Sequence, residues 1–119
     1  MDIRQGDIFW MDLDVPEGSE PGYRRPLIVI QNNIFNISRI KTVVVVAATT
    51  NLKLARLPGN VHLKKGEGGL TKESVVNISQ ILTVDKSILV EKAGSLPADK
   101  INLIIDGVKL LIEPRSIQS

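Results

Sequence analysis

The sequence has 119 residues, the length of one ordinary domain, and a net charge of +2. Hydrophobic residues make up 43% but aromatic residues only 3%, so the core is built from Val, Ile and Leu. The absence of cysteine excludes disulfides, thiolate catalysis and sulfur-ligated zinc. No apolar run reaches the ~20 residues of a membrane span, and the N-terminus lacks the apolar core of a signal peptide. We therefore expect one cytoplasmic domain over residues 1–119.

Most elements are predicted to be strands, because the apolar runs are short and rich in β-branched residues. The predicted strands cover residues 8–13, 27–30, 42–48, 60–63, 74–77, 78–84 and 88–93. The continuous apolar character of 27–30 and 42–48 predicts that these two are central. Residues 14–25, rich in Pro and Gly, form a loop longer than a hairpin turn of ~2 to 5 residues, so a role in binding is expected.

The connections and the C-terminal part differ from the strands in pattern. We predict a short helical turn over residues 32–38, a loop over 51–59 and a glycine-rich turn over 66–69. From residue 97 to 113 the apolar residues follow a helical period, between Pro97 and Pro114. This stripe consists of Ile101, Ile104, Ile105, Val108, Leu111 and Ile112. The prediction is an α+β, β-rich fold in which this amphipathic helix packs on a small antiparallel sheet, while Leu103 and Leu110, off the stripe, hint at a second contact surface.

The distribution of charge is uneven along the chain. Residues 2–20 carry six acidic residues against Arg4 alone, whereas residues 39–65 carry six basic residues and no acidic one. A segment of one sign is suited to phosphates, although a solvated surface balanced by acidic neighbours is an equally good interpretation.

Familiar catalytic patterns are missing from the sequence. His62 is the single histidine, so a paired-histidine ribonuclease or a histidine-rich metal site cannot be assembled within one chain, and we interpret it as a structural residue. The carboxylates show no paired spacing for a two-metal nuclease. The glycines of residues 66–69 lack the Gly-Lys-Ser/Thr ending of a phosphate-binding loop. We predict no metal and no cofactor.

One local arrangement remains informative. Arg25 lies immediately before the apolar strand 27–30, where the sheet would anchor its backbone and leave the guanidinium at the sheet end. Such a guanidinium is suited to bidentate contact with a phosphate. A pair of solvated surface arginines, Arg24 and Arg25, is the alternative.

Several motifs together resemble the MazF/PemK family of toxin endoribonucleases. They are Gly6-Asp7-Ile8, Asp12-Leu13, Gly18-Ser19-Glu20, Arg25-Pro26, Ile28-Val29-Ile30-Gln31-Asn32, Val46-Ala47-Ala48-Thr49-Thr50 and Gln80-Ile81-Leu82-Thr83-Val84-Asp85-Lys86. The similarity extends from about Ile3 to the C-terminal helix. It implies the MazF/CcdB-like toxin fold, with an SH3-like barrel and a C-terminal helix.

The resemblance also implies roles for individual residues. It makes Arg25 and Thr50 the catalytic pair, with Ser19, Glu20 and Gln80 nearby in an RNA groove. Thr49 leaves a one-residue ambiguity. Because successive strand residues point to opposite faces, only one of the two hydroxyls is expected to join Arg25, and the family alignment favours Thr50.

Two further residues are predicted to contact RNA. Tyr23, in the loop beside the arginines, is the aromatic residue expected to touch a base, although a ring that packs the loop down is equally compatible with the sequence. Lys53, from the basic segment of residues 39–65, is the second residue predicted to contact RNA.

The implied reaction uses the 2′-hydroxyl of RNA as nucleophile and leaves a 2′,3′-cyclic phosphate and a 5′-hydroxyl, without a metal. Arg25 would stabilise the phosphoryl charge and Thr50 would hold the phosphate. The general base is open, and Glu20 is a candidate. The family implies a homodimer, single-stranded RNA as substrate, and a cognate antitoxin whose tail covers the groove.

Two other functions remain possible on the sequence. The same toxin fold supports proteins that poison DNA gyrase without catalysis, but those carry a tryptophan near the C-terminus, and here the single tryptophan is Trp10. A non-catalytic RNA-binding module usually stacks bases on aromatic residues. The four aromatic residues available here are a weak basis for it: Phe9, Trp10, Tyr23 and Phe35.

Overall fold

The apolar runs of the sequence form one antiparallel sheet. The computed structural model describes residues 2–13, 23–115 and 117. Within them the strands are β1 (Asp7–Leu13), β2 (Tyr23–Val29), β3 (Thr42–Thr49), β4 (Val61–Leu63), β5 (Ser74–Asp85) and β6 (Glu91–Ser95). Their order across the sheet is β4-β5-β3-β2-β1-β6, with every neighbouring pair antiparallel. The α+β prediction is confirmed, and β2 and β3 are central as their apolar character indicated.

Both faces of the curled sheet carry apolar cores, because residues that alternate along the central strands point to opposite sides. One cluster includes Ile28 and Val46 with Ile104 of the C-terminal helix, and the other includes Leu27, Val45 and their neighbours. The register between β3 and β5 shifts between Val46 and Ala48. Such an irregularity bends a strand and increases its twist, which curls the long β5.

The C-terminal helix α2 (Ala98–Ile112) lies within the predicted range of 97–113. It ends before Pro114, and Asp99 in its first turn and Lys109 in its last turn complement the helix dipole. The helix packs through Ile101, Ile104 and Val108. The prediction that the whole stripe packs on the sheet was wrong for its last turn. Leu111 and Ile112 are 47% and 67% exposed, because the packing contacts lie further towards the N-terminus of the helix.

Three other predictions need correction. The strands predicted at 74–77 and 78–84 are one continuous strand, β5, because the polar residue at their junction, Asn77, is buried with side-chain partners. The loop predicted over 51–59 contains a 3-10 turn at Leu52–Arg56, which Asn51 caps by accepting a hydrogen bond from the Lys53 amide. The start of the last predicted strand, at residue 88, is a 3-10 turn at Lys86–Ile88, and β6 begins at Glu91.

The predicted short helical turn is present as α1 (Asn33–Asn36), and Asn32 caps it by accepting a hydrogen bond from the Ile34 amide. Lys86 holds the end of this turn, since its ammonium donates to the carbonyl oxygens of Asn36 and Ser38 at 2.9 and 3.3 Å. Lys86, the last residue of the motif that begins at Gln80, therefore connects the end of β5 to the end of α1.

None of the helices in the described part of the chain is long and apolar enough to cross a membrane.

Candidate RNA-cleavage site

Arg25 lies inside strand β2 rather than immediately before the strand. The strand begins at Tyr23, because its backbone pairs with β1 from Leu13 to Ile8, and Arg25 is opposite Met11. The guanidinium is partly buried, and its Nη1 donates to Oε1 of Gln80 at 2.8 Å. The orientation of Arg25 is thus fixed both by the sheet and by a side chain of β5.

Arg25 borders a cavity of about 500 Å³ at the end of the sheet. This cavity is lined by residues from β1, from β2, from the end of β3 and the position after it, and from the segment 70–72 and the start of β5: Trp10, Arg24, Arg25, Pro26, Ala48, Thr49, Thr50, Leu70, Thr71, Lys72 and Ser74. We call it the main cavity. The predicted pair of Arg25 and Thr50 therefore shares one cavity although 25 positions separate the two residues along the chain.

Both candidate threonines line the main cavity. Strand β3 ends at Thr49, so Thr50 lies beyond the regular strand, and the alternation of side chains does not determine its direction. The register that pairs Leu27 with Ala47, continued by two residues, aligns Thr49 with Arg25. The Thr49 hydroxyl oxygen accepts from the amide of Asn51 at 3.1 Å, which closes the turn, while Thr50 is the more exposed of the two.

A smaller hollow of about 270 Å³ lies on the other side of Arg25. It is lined by Arg25, Leu27, Ala47, Ser79, Gln80, Ile81 and Leu82. Arg25 and its partner Gln80 thus stand where two depressions meet. A chain of nucleotides bound through a phosphate at Arg25 would have a recess on each side.

Trp10 and Arg24 form one wall of the main cavity. The Arg24 guanidinium carbon lies 5.2 Å from the centroid of the Trp10 ring, within the range of a cation–π contact. Arg24 also pairs with Glu91 on β6 and with Asp12 on β1, the latter through Nε at 3.3 Å from Oδ1. The hydrogen bond to Glu91 is the main cause that raises the pKa of Arg24 above its ordinary value.

The structure gives less information on the remaining predicted site residues. Ser19 and Glu20 lie outside the described residues. Tyr23 is the first residue of β2, and only its backbone is described. Lys53 is exposed in the 3-10 turn after Thr50, but it does not line either recess beside Arg25, so its contact with RNA stays a prediction.

Sequence reasoning did not assign Trp10, Thr71, Lys72 or Ser74 to the site. They come from the first strand, from the segment that leads into β5 and from the first residue of β5, and no motif links them. Lys72 is exposed at the cavity and has no carboxylate partner within 4.0 Å among the described residues. The sequence signal that could have indicated Lys72 is its position as a basic residue shortly after a glycine-rich turn.

His62 is outside this site. Its Nε2 contacts the carboxylate of Glu73, and the side chain is 40% exposed on β4. Among the described residues there is no group of three or more His, Cys, Asp or Glu side chains that is able to hold a metal ion.

The chain is similar to proteins of one family over nearly its full length. A family model described as "PemK-like, MazF-like toxin of type II toxin-antitoxin system" matches residues 4–112. Endoribonuclease MazF6 of Mycobacterium tuberculosis is 38% identical over 113 residues, which are 95% of this chain and 99% of that protein. Endoribonuclease MazF of Staphylococcus saprophyticus is 34% identical over 117 residues, 98% of this chain and 97% of that protein.

Solved structures give the same fold. A mycobacterial endoribonuclease in complex with its cognate antitoxin superposes with a TM-score of 0.73 at 23% identity, covering 96% of this chain and 99% of that chain. A MazE-MazF structure from Deinococcus radiodurans has a TM-score of 0.74 at 21% identity, covering 94% and 96%. The match of the family model and the identity to curated relatives agree with the motifs around Arg25, Thr50 and Gln80. The chain therefore belongs to the PemK-like, MazF-like family of toxins of type II toxin-antitoxin systems.

Proposed function

We propose that this protein is the endoribonuclease toxin of a type II toxin-antitoxin system and cleaves single-stranded RNA at specific sequences, which inhibits translation and growth. The observation that carries the proposal is that Arg25, Thr49 and Thr50 line one cavity, at the sequence motifs of the family. The relatives named as endoribonucleases cover 95% or more of the chain, which supports residues 1–119 as one functional domain.

The reaction we propose is internal transesterification of RNA. The 2′-oxygen forms a bond to the adjacent phosphorus, the bond from phosphorus to the 5′-oxygen breaks, and the products are a 2′,3′-cyclic phosphate and a 5′-hydroxyl. A base removes the 2′-hydroxyl proton, and the departing 5′-oxygen takes up a proton. Since no cofactor or metal enters these steps, the protein supplies position and charge.

Arg25 is the residue that stabilises the charge on the phosphoryl oxygens. A guanidinium with an ordinary pKa above ~12 is a poor proton donor, so electrostatic stabilisation is its first role. Gln80 orients it through the 2.8 Å hydrogen bond. Thr50 donates a hydrogen bond to the phosphate, and Ser19, Tyr23 and Lys53 are proposed RNA contacts.

Glu20 is the candidate for the general base, as the acidic residue that the resemblance puts beside Arg25. A carboxylate in hydrogen-bond reach of the 2′-hydroxyl would meet the geometric requirement for this role.

The proposed partners are a second copy of the chain and an antitoxin. Ile34, Phe35 and Ile37 on and after α1 are 71%, 50% and 76% exposed, a cluster of apolar side chains that is typical of a protein contact. A solved relative is in complex with its cognate antitoxin, and an antitoxin tail that lies along the Arg25 recesses would block RNA. We place the protein in the cytoplasm, where messenger RNA is translated.

The test is cleavage of a long single-stranded RNA by the purified protein in excess EDTA, with mapping of cut sites and end groups. We expect cuts at one short sequence with cyclic phosphate ends. Removal of one pre-positioned donor costs on the order of a hundred- to thousandfold in rate, so Arg25→Ala should be nearly inactive. Arg39→Ala is the matched control, because Arg39 is exposed and lines neither recess.

Two results would contradict the proposal. One is a folded Arg25→Ala protein with full activity. The other is a folded wild-type protein that cuts no RNA, in which case inhibition of DNA gyrase supercoiling is the next measurement.

A further inference from the structure

Trp10 provides a flat ring in the main cavity, one register position away from Arg25. It is the single tryptophan of the chain, it lines the main cavity with Arg25 and Thr50, and it packs against the core cluster that contains Ile8 and Ile28. A half-buried ring that is supported by a core keeps its orientation, which a stacking surface requires.

Arg24 extends this surface with a second planar group. Its guanidinium lies over the indole, 5.2 Å from the ring centroid, and two carboxylates on different strands, Asp12 and Glu91, hold it there. Nucleobases stack both on aromatic rings and on arginine planes. Because the guanidinium covers the indole, the planar surface that stays open to a base is the outer side of Arg24, whose side chain is 46% exposed.

The charges at this wall favour a base over a phosphate. Arg24 contributes one positive charge, and its partners Asp12 and Glu91 contribute one negative charge each, so the group sums to −1. Because two carboxylates balance its charge, Arg24 attracts phosphate only weakly, and Arg25 and Lys72 supply the positive charge that lines the main cavity. Phosphate and base contacts are thus separated between two consecutive arginines.

We propose that Trp10 and Arg24 form the subsite that stacks the base adjacent to the cleaved phosphate and that this contact selects the base at that position. This inference rests on the proposed function and specifies how the site reads its substrate. With the phosphate at Arg25, the larger of the two recesses takes the base on one side, where the base stacks on the exposed side of the Arg24 guanidinium and Trp10 supports that guanidinium. Trp10 and Arg24 are specificity-determining residues and take no part in proton transfer.

The first test compares cut-site maps of one long RNA for the wild type and three variants. Stacking of a base is worth roughly 5- to 150-fold in binding. Trp10→Leu removes the ring that supports the Arg24 guanidinium, so this variant should lose up to about that much in kcat/KM and also its preference at one position beside the cut. Trp10→Phe, which keeps an aromatic ring, should retain the preference. Arg24→Lys keeps the charge but loses the plane and should weaken the preference.

The second test uses the fluorescence of the single tryptophan in the wild-type protein. Short 2′-O-methyl oligonucleotides, which cannot be cut by 2′-hydroxyl attack, should quench Trp10 when they carry bases. An abasic oligonucleotide of the same length and charge should not. Because this measurement needs no cleavage, it decides the inference even if the protein cuts no RNA.

Two outcomes would overturn the inference. One is a folded Trp10→Leu protein that cuts with the wild-type preference at every position. The other is equal quenching by the abasic and the base-bearing oligonucleotides. Far-ultraviolet circular dichroism and the midpoint of urea unfolding show whether each variant is folded.

Discussion

Gln80 holds Arg25 from a strand that is not its neighbour in the sheet. The 2.8 Å hydrogen bond from Arg25 Nη1 to Gln80 Oε1 spans β3, which lies between β2 and β5. The small side chain of Ala47, on β3 in the same hollow, leaves room for this contact. An amide orients the guanidinium but adds no negative charge, so it does not compete with a phosphate as a carboxylate would.

We expect two substitutions of Gln80 to affect catalysis in different ways. Gln80→Leu removes the hydrogen bond, and because misplacement of a catalytic group costs up to about a hundredfold, kcat should fall by about ten- to a hundredfold with little change in KM. Gln80→Glu should form an ion pair with Arg25 and raise KM, an effect that increasing salt reduces. Steady-state kinetics on a short fluorogenic RNA measure both. Wild-type kcat in a folded Gln80→Leu protein would contradict the positioning role.

The two threonines can be separated by replacing each with valine, which keeps the shape and removes the hydroxyl. Thr50→Val should lower kcat by about a hundredfold or more, the cost of one pre-positioned donor. Thr49→Val should act mainly on the turn, since the Thr49 oxygen accepts from the Asn51 amide, and should lower stability by about 1 kcal/mol. Cleavage rates and urea unfolding of both variants give the comparison. The reverse pattern would assign the active hydroxyl to Thr49.

The sequence predicted the parts of the fold that depend on local pattern. The apolar runs gave the central strands, and the 3.6-residue period gave α2 to within one residue at each end. Asn77 misled the prediction of β5, because its side-chain oxygen is satisfied inside the fold. It accepts hydrogen bonds from Ser79 at 2.9 Å and from Asn60 at 3.5 Å, and the second of these partners lies 17 positions away, where no local pattern reveals it.

The candidate site was predictable where motifs mark it. Arg25, Thr50 and Gln80 were proposed from the resemblance, and they line adjoining recesses, while their roles stay predictions. Trp10 and Lys72 were missed, because the curl of the sheet brings the first strand near the segment before β5. The direction of Thr50 was not predictable from alternation, since the residue lies past the end of its strand.

The acid stability of the protein should depend on Asp85. Its carboxylate accepts from the Ser87 amide at 2.8 Å, and this backbone hydrogen bond is the main cause that lowers the pKa of Asp85 below its ordinary value of 3.8. A lowered folded pKa means that the charged form stabilises the fold above the unfolded pKa, and that this contribution is lost as the pH falls through the folded pKa.

Asp85→Asn isolates this contribution, because asparagine keeps an acceptor for the Ser87 amide but does not titrate in this range. We expect the wild type to have the higher free energy of unfolding at neutral pH, and the difference to shrink as the pH is lowered below about 4. Urea unfolding of both proteins at a series of pH values measures it. A difference that stays constant or grows on acidification would contradict the proposed role of the Asp85 charge.

At Gly107, helix α2 lies in close contact with the turn at Gly59. A Cβ at this position would lie 2.2 Å from the carbonyl oxygen of Gly59 and 3.1 Å from Cγ2 of Ile78. Gly59 has a φ of +83°, which other residues rarely adopt, so the turn cannot easily move away. In the interior of an exposed helix Gly→Ala stabilises by about 1 kcal/mol, but here the close contact should reverse the sign.

We expect Gly107→Ala to lower the free energy of unfolding by about 1 to 3 kcal/mol, the usual cost of overpacking. Asn102→Ala on the exposed side of the same helix is the matched control and should be neutral or slightly stabilising, since alanine is the better helix former. Because Gly107 lines neither recess at Arg25, the folded Gly107→Ala protein should keep the kcat of the wild type at low temperature. If Gly107→Ala raises the free energy of unfolding in urea, α2 can shift away from the turn at Gly59. That result would contradict the tight packing of the helix against this turn.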